Sequence, residues 1–177
     1  PHDIMRNVTQ YLYLQSPGNA STLTFKPRYV IDGDELRMIP LPDLSFSDFQ
    51  FFDGRFDHLL PYEEFLPSGN IGPVPKRFPF TLTLFKLLLH DTVHNWVLGS
   101  PGWQDFLDEN HPTRALQITA GIVREFDDEC KKRTKKCFTL LFPTPSSYNS
   151  YIDDGRISLN NIFKKLEENG LPYLSLT

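Results

Sequence analysis

The sequence predicts an α/β chain with parallel strands and helices on the faces of the sheet. Three observations carry that reading. From Arg114 onward the pattern runs helix, strand, loop, helix, strand, the order of a βαβ crossover preceded by its own helix. The segment "CFTLLFP" at 137–143 is short and almost wholly apolar, as expected of a strand covered on both faces. Ala115, Ile118, Ile122, Phe126 and Cys130 recur at helical spacing and form one apolar stripe.

Taken in order, "IMRNVTQYLYL" gives one or two turns of helix, and "QSPGNAS" is a turn region. Tyr29, Val30 and Ile31, then Leu36, Arg37, Met38 and Ile39, are β-prone runs on either side of Asp32-Gly33-Asp34. Asp-Gly between two such runs is a strong hairpin signal. Residues 41–79 are aromatic, acidic and Pro-rich, and read as an irregular excursion with short helical turns. Long excursions in a compact domain are commonly lids, binding elements or partner-facing covers. "FTLTLFKLLLHDTVHNWVL" at 80–98 reads as one helix, and Leu84, Leu87, Leu88 and Val93 make it dense enough in apolar residues to be buried on much of its surface. "GSPGW" breaks it. After the 114–133 helix and the apolar strand, "ISLNNIFKKLEENG" places Leu159, Ile162, Phe163 and Leu166 on one face, with Gly170 as the stop. "LPYLSLT" is the second strand. Ligands of parallel sheets sit beyond the carboxyl ends of the strands. That edge carries "PTPSSYNSY" at 143–151, and with it Thr144, Ser146 and Tyr148 as candidate substrate contacts.

The chain has 177 residues, which suits one domain, and its net charge of −4 gives no footprint for nucleic acid. No apolar run is long enough to cross a bilayer; the best candidate, residues 80–89, is interrupted by Thr and Lys. Cys130 and Cys137 bracket "KKRTKK" and read as buried or half-buried thiols, with a disulfide as the alternative. The compartment is not legible in the sequence.

Candidate chemistry is sparse. His90 and His94 in "HDTVH" are four apart on the expected helix, as in a zinc peptidase, but Asp91 is a methylene shorter than the usual Glu. No third ligand stands at a suitable spacing, so they read as helix histidines at a surface edge, and no metal or other cofactor is expected. Asp108 and His111 repeat the Asp-x-x-His spacing with which an Asp orients a catalytic His. Asp, Asn and Pro in "DENHPTRAL" equally suit the plain start of a helix. Ser146 and Ser147 lie at the functional edge without a Gly-x-Ser-x-Gly elbow around them.

"DENHPTRALQITAGIVREFDDECKKRTKKCFTLLFPTPSSY" and "IFKKLEENGLPYLSLT" together resemble the central-to-late part of SGNH/GDSL-type hydrolases. In that family a helix leads to an apolar run ending in Pro, then a loop, a helix and a strand close to G-x-P-x-x-D-L-T. The opening "PHDIMRN" resembles the segment after the family's third core strand, and the hairpin resembles an insertion, here residues 22–79, of some large bacterial members. The resemblance implies one partial domain over residues 1–177, an incomplete flavodoxin-like three-layer α/β/α sandwich. It also implies hydrolysis of a small ester or an acetylated carbohydrate by a Ser-His-Asp mechanism. The family's Gly-Asp-Ser block has no match here, and its late Asp-x-x-His block would fall beyond Thr177. Asp108 and His111 precede the βαβ unit, so the catalytic role is not carried onto them. By order along the chain His2 occupies the place of an oxyanion donor, with Asp3 and Asn7 beside it as candidate substrate contacts. Alternatives are a non-catalytic module binding a carbohydrate or a protein through the aromatic excursion, and an O-acetyltransferase of the same superfamily. An incomplete sheet would also leave a strand edge open to self-association.

Overall fold

The 18-residue helix α3 (Ala115–Lys132) is the element against which most of the others pack. The structure is a computed structural model, and it describes residues 2–10, 25–33, 35–45, 60–66, 71, 78–88, 105–142 and 159–175. In chain order the elements are α1 (His2–Asn7), β1 (Arg28–Asp32), β2 (Glu35–Ile39), α2 (Phe80–Leu88), a 3-10 turn at Asp105–Leu107, α3, β3 (Thr139–Leu141), α4 (Asn160–Glu168) and β4 (Tyr173–Ser175). The chain is thus mixed α and β.

The core follows from the amphipathic patterns. Ala115, Leu116 and Ile118 on the first half of α3 meet Ile4 and Val8 of the α1 segment, Phe106 and Leu107 of the 3-10 turn, and Leu159, Ile162, Leu166 and Leu171 around α4. Tyr29, Ile31 and Leu36 bring one face of the hairpin onto the same cluster. Gly121 of α3 faces Leu36 of the hairpin so closely that a methyl group there would meet Leu36 Cδ1 at 3.1 Å and press that side chain aside by a few tenths of an ångström.

The hairpin forms where Asp-Gly predicts it. β1 and β2 pair antiparallel, with Val30 opposite Arg37 and Asp32 opposite Glu35, and Gly33 takes a φ of 63° in the turn. The crossover forms as well. β3 pairs parallel with β4, Leu140 opposite Leu174, and α4 lies between them in sequence.

Four expectations need correction. The helix expected to be buried is exposed on its described side chains: Phe80, Leu82, Leu84 and Phe85 of α2 are 57–67 % accessible, because no other described element covers them. The second is β3, which is covered on one face only. Thr139 and Leu141 point inward and are half-buried, while Phe138, Leu140, Phe142 and Leu174 are 44–64 % exposed on the other side. Third, Phe126 is exposed, and the next residue, Asp127, is buried instead. Last, Cys130 and Cys137 form a disulfide rather than two thiols. The chain reverses after Lys132 through a left-handed residue, Thr134, which returns Cys137 to within a Cα–Cα distance of 6.1 Å of Cys130, inside the span a disulfide needs. The side chains of His90, Asp91, His94, Leu87 and Val93, and of Thr144, Ser146, Ser147 and Tyr148, on which expectations rested, lie outside the described residues.

Candidate functional site

Asn7 closes α1 and reaches across to α3. Its Nδ2 donates to Thr119 Oγ1 at 3.0 Å, and Thr119 Oγ1 in turn donates to Ala115 O. Asn7 thus joins two helices through its amide. His2 and Asp3 belong to α1, and their side chains lie outside the described residues. Asp108 and His111 have separate partners. Asp108 Oδ1 accepts from the Asn110 N–H at 2.8 Å, a local turn, while His111 Nδ1 lies 2.7 Å from Thr113 Oγ1 and its ring packs 4.5 Å from Phe106. Both serve the turn that leads into α3.

A buried polar knot lies just after α1. Glu63 is 3 % exposed. Its Oε2 accepts from Thr9 Oγ1 at 3.0 Å and from the Gln10 N–H at 2.6 Å, and its Oε1 accepts from the Phe65 N–H at 3.2 Å. A carboxylate so deep in the protein is tolerable because its lone pairs are used. Gln10 Nε2 extends the network to Pro40 O at 2.7 Å, and the Lys26 N–H donates to Gln10 O at 3.0 Å. The knot ties α1, the 60–66 segment and the two ends of the hairpin together.

Arg28 opens β1 beside this knot. Its Nη1 donates to Tyr62 O and its Nε to Tyr29 O. Burial pushes its pKa down, opposed by the carboxylates of Glu63 and then Glu64. Burial also pushes Lys26 down, with the Arg28 charge as the next cause and Glu63 opposing. Both shifts report a positive region taken partly out of water.

Next to Arg28 is a cavity of about 300 Å³ between the hairpin, the 60–66 segment and the start of α3. Arg28, Arg37 and Arg114 line it, together with Asp32, Glu64 and Tyr62. Arg37 lies over the Tyr62 ring, 5.4 Å from its centroid, donates to the Tyr62 hydroxyl at 2.7 Å, and is 3.7 Å from Asp32. Strand alternation places Arg28, Val30 and Asp32 on one face, and the pairing of Val30 with Arg37 puts Arg37 there too. Sequence reasoning missed this cluster. The alternation inside the expected hairpin was a usable signal for Arg28 and Arg37; nothing local pointed to Arg114, far away in the chain.

Among the described residues no group of three or more His, Cys, Asp or Glu could hold a metal ion, and no helix is long and apolar enough to cross a membrane. No protein-family model, curated protein or solved structure matches the chain.

Proposed function

We propose that this chain is the central-to-late part of an SGNH-like ester hydrolase with a flavodoxin-like three-layer core. In that reading a Ser hydroxyl attacks the ester carbonyl, a His takes its proton and returns it to the leaving alcohol, and an Asp orients the His. Water then releases the acid from the acyl-enzyme. The nucleophile and the base would come from segments outside this sequence, and His2 would donate to the oxyanion.

The supporting observation is the β3–α4–β4 crossover with its one bare face. β3 and β4 pair parallel, and on the side away from the core Phe138, Leu140, Phe142 and Leu174 stand exposed. Four large apolar side chains on one sheet face suit a sheet whose other layer covers them. A parallel sheet with helices on both sides is the architecture the proposal requires.

A serine-directed assay tests it. The 177-residue chain should release nitrophenol from nitrophenyl acetate no faster than its Ser146→Ala, Ser147→Ala double variant, and should take up no fluorophosphonate. A longer protein from the same coding sequence should do both. A serine-dependent burst from the chain itself would sink the proposal, as would a longer protein that leaves nitrophenyl acetate and acetylated sugars intact.

A further inference from the structure

We infer that the arginine-lined cavity is a binding site for a small ligand bearing one oxyanion group, a carboxylate or the sulfate or phosphate of an ester. The inference stands apart from the hydrolase reading and needs none of its catalytic residues.

The walls supply the argument. Arg28 is only 2 % exposed, yet it lines the cavity. Its Nε and Nη1 are used on backbone carbonyls, and its Nη2 makes no bond among the described residues. Held by those two carbonyls, the guanidinium stands at the cavity wall with N–H groups left over for an acceptor there. Arg114 lines the same cavity, and among the described residues its guanidinium has no hydrogen-bond or ion-pair partner. Its backbone is left-handed, with a φ of 53°. A long non-Gly side chain in that conformation is a strained choice, and such choices gather at functional positions.

Arg114 is also the N-cap of α3 and provides no side-chain cap. The first N–H groups of a helix have no partner within it, and the dipole of an 18-residue helix adds positive potential at that end. Arg37 completes the ring. It is already held by Asp32 and Tyr62, which fixes its plane. Glu64 and Asp32 are the carboxylates that face the cavity, against the guanidinium groups of Arg28, Arg37 and Arg114, so the balance is positive. Planar guanidinium forks match carboxylate and phosphate oxygens in pairs. Val30, Ile31, Pro112 and Ile118 give the rest of the ligand an apolar wall. The volume of about 300 Å³ suits a ligand of one ring or a short chain.

Calorimetric titration of the whole chain with benzoate, inorganic phosphate and inorganic sulfate tests the site. At least one probe should bind saturably, and added salt should weaken it. Arg114→Asn keeps a residue that tolerates the left-handed backbone, so it should melt with the parent; it should also weaken binding by about tenfold. Arg37→Gln, exposed and outside the core, should weaken it in the same direction. Preference for benzoate identifies a carboxylate ligand, and preference for phosphate or sulfate an ester of a tetrahedral acid; both support the site. Absence of saturable binding for all the probes, or equal affinity in the parent, Arg114→Asn and Arg37→Gln, would overturn it.

Discussion

α3 and α4 end in the same backbone motif, built from different chemistry. After α4, the Gly170 N–H donates to Glu167 O at 2.9 Å and the Leu171 N–H to Leu166 O at 3.0 Å, with Gly170 at a φ of 62°. After α3, the Thr134 N–H donates to Lys131 O at 2.9 Å and the Lys135 N–H to Cys130 O at 2.8 Å, with Thr134 at a φ of 56°. Both are Schellman closures, and each leads into a strand of the parallel pair. The α4 end has a glycine at the left-handed position and an apolar clasp, Leu166 against Leu171, both in the core. The α3 end has a β-branched residue there and an exposed lysine where the clasp should be. Its closure is covalent instead: the residue equivalent to Leu166 is Cys130, bound to Cys137. A turn can thus be held by burial or by a crosslink, and the crosslink frees the residues between the cysteines to be charged.

The comparison breaks most sharply at the two clasp positions. Leu166 is fully buried, so Leu166→Ala should cost about 3 kcal/mol of unfolding free energy in a urea titration. Opening the disulfide, by Cys130→Ser with Cys137→Ser or by reductant, should cost about 2.5 kcal/mol, the chain entropy of a loop with a sequence separation of 7. Reductant should leave the double variant unchanged. If reduction has no effect on the parent, the closure at α3 is held by its backbone bonds alone and the contrast fails.

This difference also shows what the sequence could reveal. Gly170 after an amphipathic run marks the α4 end plainly, and Asp-Gly marks the hairpin. The α3 end carries no such mark, because Thr134 is an unfavourable left-handed residue and the spacing of Cys130 and Cys137 fits thiols as well as a bridge. Composition alone assigned α2 and the outer face of β3 to the interior, since apolar density signals a buried element but not which neighbour buries it. The arginine cavity was illegible for another reason. Arg28 and Arg37 meet across a hairpin, and Arg114 joins them only once α3 packs against it. Asp108 and His111 had the right spacing for a dyad, yet Asn110 and Thr113 were nearer partners in the same turn.

Exchanging the two left-handed residues sharpens the contrast further. A Cβ at Gly170 meets nothing within 4 Å, so Gly170→Ala carries only the backbone penalty, about 1 kcal/mol. Thr134→Gly should move the other way and stabilise by about 0.5 kcal/mol, the relief of left-handed strain less the added freedom of the unfolded chain. The measurement is the denaturation midpoint at constant slope. A destabilised Thr134→Gly variant would mean that the threonine side chain contributes something its backbone strain conceals.

The smallest expected difference lies in the alkaline range. Tyr173 of β4 donates its hydroxyl to Glu167 Oε1 at 2.6 Å, which lifts its pKa above the ordinary 10.0. At the other end the bond from the Lys131 ammonium to the buried Asp127 lifts the lysine above 10.5. Both folded-state values are raised, so both contributions are complete below the ordinary values and fade as pH climbs through the raised ones. Stability should therefore fall from about pH 10 upward. Tyr173→Phe keeps the ring stacked on Phe163, 5.5 Å away, while removing the proton that titrates. It should flatten the part of that decline belonging to α4. Lys131→Met should flatten the part belonging to α3. If Tyr173→Phe leaves the alkaline slope of the unfolding free energy unchanged, the hydroxyl does not fasten β4 to α4, and that end rests on its apolar clasp alone.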